Sequence, residues 1–171
     1  IILGGTGFIG RNLVEYFSTK KNFKVTATYF KTIPPKNLKK NVNWIKADLT
    51  NIKIIKKILN NQDIVLQFAA TTSGSADIVK KPYLHVTDNA VINSLLLRES
   101  FESNIKHFVF PSCTVMYQSS IKKIKETDFN ESQPLTPTYF GVGNTKIYVE
   151  KMCEFYSRIS NIKFSVIRHS N

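Results

Sequence analysis

The chain predicts a doubly wound α/β sheet of parallel strands, and three observations carry that expectation. Apolar, β-branched runs alternate with amphipathic stretches of helical period along the 171 residues. Short connections between such elements force parallel pairing with right-handed crossovers. A glycine-rich turn, Gly4-Gly5-Thr6-Gly7-Phe8-Ile9-Gly10, joins the first apolar run to the first helical one. Lastly, the long irregular segments at 71–81 and 118–138 both follow strand ends, where open α/β sheets bind their ligands.

The elements follow in order. Ile1-Ile2-Leu3 is a buried strand running into the turn. Gly4 supplies the tight turn, Gly7 lets the backbone approach a pyrophosphate, and Gly10 lets the helix pack close to the strand. The helix over 8–19 places Ile9, Leu13, Val14 and Phe17 on one face and aims its N-terminal N–H groups, from Phe8 and Ile9 on, at the phosphates. Strands are expected at 24–29 and 42–46, then a helix over 51–59 with Ile52, Ile55 and Leu59 on its inner face. A strand at 64–68 leads to a helix over 88–103 whose stripe is Val91, Leu95 and Phe101, widened by Ala90 and Leu97. A strand at 107–110, a helix over about 144–160 carrying Ile147, Cys153 and Tyr156, and a strand at 163–167 complete the pattern. Only three residues precede the glycine turn, and the chain stops directly after its last strand. It therefore reads as one domain, residues 1–171, truncated at both ends of the fold.

Composition narrows the class. A hydrophobic content of 42% supports a real core. No apolar run approaches the ~20 residues of a membrane span. Two cysteines suggest no disulfide framework, so a reducing cytoplasm is expected. The net charge of +12 comes from scattered lysine pairs with no arginine-rich stripe or recognition motif, so nucleic acid is not the expected partner. Such a surface would instead concentrate anionic substrates. No metal site is expected.

The glycine loop, Asp48-Leu49, Phe68-Ala69-Ala70 and the run Phe110-Pro111-Ser112-Cys113-Thr114-Val115-Met116-Tyr117 together resemble the extended short-chain dehydrogenase/reductase family. More narrowly, they are similar to its NAD-dependent epimerase/dehydratase group, which acts on nucleotide sugars. The resemblance implies a Rossmann-like domain whose C-terminal substrate-binding part lies outside this chain. It implies that Asp48 accepts from the adenine amino group beside the Leu49 backbone, although Asp48 taken alone also fits a helix N-cap. Ala69 and Ala70 would let the strand end pass close to the ribose and nicotinamide. Asn89 matches a family asparagine, and Asn171 one that contacts the phosphate side of the substrate.

Cofactor choice turns on Thr26-Ala27-Thr28-Tyr29-Phe30-Lys31-Thr32, which lacks the carboxylate that holds both ribose hydroxyls in NAD-preferring relatives. Arg11 and Lys31 would both meet a 2′-phosphate, which tips NAD(P) toward NADP. An NAD site built on the Thr28 or Tyr29 hydroxyl stays open.

The family's catalytic pair is Tyr-x-x-x-Lys, in which the lysine lowers the tyrosine pKa, with a Ser or Thr orienting the reacting oxygen. Lys146 aligns with that lysine, but Val142 stands four residues before it. The candidate phenol is Tyr139, which a regular helix would hold about 10 Å along the axis from residue 146. Gly141 and Gly143 argue against a regular helix there. The hydroxyl position is taken by Cys113, which would act as acid or base or simply fill a strand end, with Thr114 as the alternative hydroxyl. Tyr117 is the competing phenol. The resemblance also implies a homodimer through a four-helix bundle, for which Leu96, Val149, Met152 and Phe155 are spare hydrophobes. The other reading is a dinucleotide-binding regulatory protein that has lost the tyrosine.

Overall fold

The computed structural model describes residues 1–38, 41–72 and 80–170, without the side chain of Pro82. Its six-stranded sheet comprises β1 (Ile2–Leu3), β2 (Val25–Tyr29), β3 (Val42–Lys46), β4 (Ile64–Gln67), β5 (His107–Cys113) and β6 (Lys163–His169). All pairings are parallel and the order is β3-β2-β1-β4-β5-β6, the expected doubly wound sheet. The order reverses between β1 and β4, which opens a crevice at their carboxyl ends. The helices are α1 (Phe8–Ser18), α2 (Ile52–Leu59), α3 (Thr87–Glu102) and α4 (Phe140–Ile159). Ile2 and Leu3 point to opposite faces of the sheet, as alternation requires. Ile2 joins Val14 of α1, with Val25 and Ala27 of β2, while Leu3 joins Ile55, Ile92, Leu96, Phe108 and Val149 beneath α2, α3 and α4. None of the described helices is long and apolar enough to cross a membrane.

Several local expectations are corrected. Strand β5 continues three residues past Phe110, so that Cys113 is its last residue. Helix α4 starts at Phe140 and runs through both glycines, because each fits where another part of the chain comes close. A Cβ on Gly141 would lie 2.8 Å from Val86 Cγ2, and one on Gly143 would lie 2.6 Å from Leu135 Cδ1. Packing outweighs the low helix propensity of glycine here. On α3 the buried face carries Ile92, Leu96 and Leu97; of the predicted stripe Leu97 is buried and Leu95 and Phe101 are half-buried against the core, while Val91 is 39% exposed. That face also buries Asn93, Glu99 and Ser100, polar residues that shift the apparent hydrophobic phase. Glu99 is held by Arg98 (3.2 Å) and, across the α2–α3 seam, by Lys56 (3.9 Å). Leu96 and Val149 therefore complete the core and are not spare. On α1, Ile9 is turned to solvent. Helix α2 is capped by Asn51, whose Oδ1 accepts the Lys53 N–H at 3.0 Å, not by Asp48.

Candidate cofactor and active site

The glycine turn is fixed by strand β2. The Gly4 N–H donates to Thr28 Oγ1 (3.1 Å) and the Gly5 N–H to the Thr28 carbonyl (2.8 Å). Gly4 has φ +75°, where a side chain would be strained, and a Cβ there would meet Phe68 and Ala69 backbone atoms at 2.7 Å. A Cβ on Gly10 would lie 2.2 Å from the Gly4 carbonyl oxygen. Gly7 differs: as N-cap of α1 it has extended backbone (φ −72°, ψ 169°), and the sole near neighbour of a Cβ would be the Gly4 oxygen at 3.3 Å. Two of the glycines are thus demanded by packing, while the third keeps a surface bare.

Helix α1 has no side-chain cap and no acidic residue in its first turn. Its first helical bond runs from the Arg11 N–H to the Gly7 carbonyl (2.8 Å), so the N–H groups of Phe8, Ile9 and Gly10 precede the ladder. Together with the uncompensated dipole, this suits a pyrophosphate. The cradle therefore fits a dinucleotide. Asp48 follows β3 and accepts from the Thr50 N–H (3.0 Å) and hydroxyl (2.7 Å), which orients its carboxylate beside buried Leu49. Thr28 is buried with its hydroxyl committed to Gly4, and Tyr29 packs edge-on to Trp44. Arg11 and Lys31 are exposed.

On the other side of the crevice, Phe68 and Ala69 are half-buried and Ala70 is exposed after β4. Cys113 is buried at the tip of β5. Thr114 is exposed at the start of a 3-10 turn. Lys146 donates to the Pro111 carbonyl (2.8 Å) and lies over the Phe110 ring, 4.7 Å from its centroid. Burial lowers its pKa, and Cys113 and Glu150 nearby pull it back up. The structure thus places Lys146 against β5, the strand that ends in Cys113.

It does not bring Tyr139 to them. Tyr139 ends a 3-10 turn (Pro137–Tyr139) and is the N-cap of a regular helix, so it stands about 10 Å along the axis from Lys146. No glycine bend folds it back. Val142 occupies the turn before Lys146 on the same helical face. Tyr117 is buried, and its hydroxyl accepts from Arg168 Nη1 at 2.8 Å. Arg168 in turn grips Glu150 through Nη2 (2.7 Å) and Nε (3.2 Å) and stacks over Phe129. Asn171 lies outside the described residues. Among the described residues no group of three or more His, Cys, Asp or Glu is placed to share a metal ion.

Sequence reasoning missed Gln67, Asn93 and the Glu150–Arg168 pair. The available signal for Gln67 was an uncharged polar residue closing the apolar run Ile64-Val65-Leu66.

A sheet of this order, with a bare helix N-terminus at the strand reversal, defines a dinucleotide-binding protein of the Rossmann class. The chain belongs to the NAD dependent epimerase/dehydratase family, whose model matches residues 1–171. It is 27% identical over 173 residues to UDP-glucose 4-epimerase of Lactobacillus helveticus, covering all of this chain and 51% of that protein. A crystal structure of UDP-glucose 4-epimerase superposes with TM-score 0.82 at 25% identity, over 99% of this chain and 50% of that one. A GDP-mannoheptose C4 reductase from Campylobacter jejuni with NADP bound gives 0.79 at 22% identity, over 99% and 50%. The chain spans about half the length of the relatives it matches.

Proposed function

We propose that this chain is the cofactor-binding part of an NAD(P)-dependent epimerase, dehydratase or reductase acting on a nucleotide sugar, and that it works as a homodimer in the cytoplasm. The observation that carries the reading is the Gly4–Gly7–Gly10 cradle beneath the uncapped end of α1. When bound, the nicotinamide would take a hydride from a sugar carbon or return one. Residues 6–9 would hold the pyrophosphate, Asp48 the adenine, Ala69 and Ala70 the ribose side, and Asn171 the substrate phosphates. Arg11 and Lys31, with no carboxylate at the end of β2, favour NADP over NAD.

Lys146 would hold the nicotinamide ribose and bias the charge around the reacting oxygen. Regular helix between Tyr139 and Lys146 favours Cys113, or the hydroxyl of neighbouring Thr114, as the group that exchanges a proton with substrate. The second reading, a dinucleotide-binding protein without turnover, is favoured by Val142 standing where the family places its phenol.

The test uses the full-length protein. In titration calorimetry, Gly7→Val should remove NADPH and NADH binding while the fold persists, because valine suits the extended backbone at that position. Undiminished affinity would sink the cradle. With a nucleotide-sugar substrate, Cys113→Ala should lower turnover by roughly 10²-fold or more, and Tyr139→Phe should leave it little changed. The reverse result would give Tyr139 the role, and no turnover by the wild type with any nucleotide sugar would favour the second reading.

A further inference from the structure

The segment after β4 is held by side chains that imitate a neighbouring strand. Gln67 Oε1 accepts the Ala69 N–H at 3.1 Å, and its Nε2 donates to the Ala69 carbonyl at 3.0 Å. One amide thus takes both backbone groups of one residue. Asn89, early in α3, repeats the device two residues on: its Oδ1 accepts the Thr71 N–H (2.8 Å), and its Nδ2 donates to the Thr71 carbonyl (3.0 Å) and to the His85 carbonyl (3.0 Å). Asn93 joins them. Its Oδ1 accepts from Gln67 Nε2 at 3.0 Å and its Nδ2 donates to the Asn89 carbonyl at 2.7 Å. Gln67 and Asn93 are 1% and 5% exposed, so these amides are desolvated and need their partners.

The clamped segment is not a remote loop. Its Phe68 and Ala69 backbone atoms are the ones that a Cβ on Gly4 would strike at 2.7 Å. The carboxamides therefore fix one wall of the crevice against the turn that forms the other. The gripped residues Ala69 and Thr71 flank Ala70, which is exposed. The family resemblance implies that the segment after β4 faces the ribose and nicotinamide half of a dinucleotide, while Asp48, after β3 on the other side of the reversal, faces the adenosine half.

We infer that Gln67, Asn93 and Asn89 are positioning residues: a carboxamide clamp that sets the wall of the cleft on the nicotinamide side and leaves the adenosine side untouched. This rests on the dinucleotide reading above. The clamp makes a specific demand on hydrogen polarity. In Gln67→Glu a carboxylate oxygen faces the Ala69 carbonyl and Asn93 Oδ1, so two acceptors oppose where a donor stood.

The experiment measures, on the full-length protein, the affinity for NADPH and, separately, for 2′,5′-ADP, which reports the adenosine half alone. Gln67→Glu should weaken NADPH binding roughly tenfold or more, as the loss of a buried hydrogen bond does. Affinity for 2′,5′-ADP should stay within about twofold of wild type. Lowering the pH should restore NADPH binding to Gln67→Glu, because a neutral carboxylic acid supplies a donor again. Asn89→Ala, at a half-buried site, is the second variant and should show the same split. Equal loss of both ligands in Asn89→Ala, no loss of either, or a defect in Gln67→Glu indifferent to pH would each overturn the clamp. A wild-type protein that binds neither ligand would instead overturn the dinucleotide reading, and the clamp with it.

Discussion

Burial of Lys146 is a cost to the folded chain. Burial disfavours its ammonium in the native state relative to the unfolded one. At neutral pH, below both titrations, the native state bears that whole penalty. The penalty fades as pH rises through the lowered native value and is gone above the ordinary lysine range. Lys146→Met should therefore raise the melting temperature of the cofactor-free protein by a few degrees at pH 7, with the gain shrinking in alkaline buffer. The same variant should bind NADPH more weakly. A lower melting temperature at pH 7 would show that the Pro111 and Phe110 contacts outweigh desolvation. At this scale Lys146 could be singled out because it aligns with the lysine of the family's Tyr-x-x-x-Lys pair. The amides were not, since nothing in the order Gln67, Asn89, Asn93 says that their side chains meet.

Among the elements, α4 shows why helix limits resist reading. Propensity alone argues for a start after Gly143, about 1 kcal/mol per glycine being lost against alanine. The chain starts the helix at Phe140 because Gly141 and Gly143 lie against Val86 and Leu135, contacts that a one-dimensional pattern does not contain. A paired substitution separates the two effects. Gly141→Ala meets just the tip of the Val86 side chain and should be near neutral, gained propensity offsetting a small shift. Gly143→Ala crowds Leu135 and also the Val115 carbonyl oxygen at 3.2 Å, which cannot swing aside, and should cost about 1–2 kcal/mol in urea unfolding. Equal effects would mean that the loop before α4 yields as a unit. Strand starts, by contrast, were read to within a residue, because buried parallel strands are continuous apolar runs, while β5 and β6 run three and two residues past their expected ends. The misphased stripe of α3 has the opposite cause: Asn93, Glu99 and Ser100 are buried there, and polarity was taken as a sign of exposure.

For the whole molecule, the doubly wound parallel sheet followed from the alternation of strands and helices, whereas its strand order and the surface of the proposed dimer did not. Correcting the core removes Leu96 and Val149 from the list of spare hydrophobes and leaves Phe155 and the half-buried Met152; Val91, Phe140, Tyr148 and Ile159 are also exposed on α3 and α4. Phe155 is 49% exposed, and Tyr148 is tied across the helix pair to Ser94 by a 3.0 Å hydrogen bond. If these helices form the proposed dimer, Phe155→Asp should convert the full-length protein to monomer in sedimentation velocity at micromolar concentration. An unchanged dimer would place the interface elsewhere.

The unequal crowding of the three glycines bears on how such a protein changes by descent. A lineage that abandoned turnover, or even the ligand, would still need Gly4 and Gly10, since any side chain at either collides with the chain itself. Their persistence records an obligation to fold and says nothing about activity. Gly7 alone is free to drift once nothing binds, so its loss, more than any change at its neighbours, would be the mark of a descendant that had given up its dinucleotide.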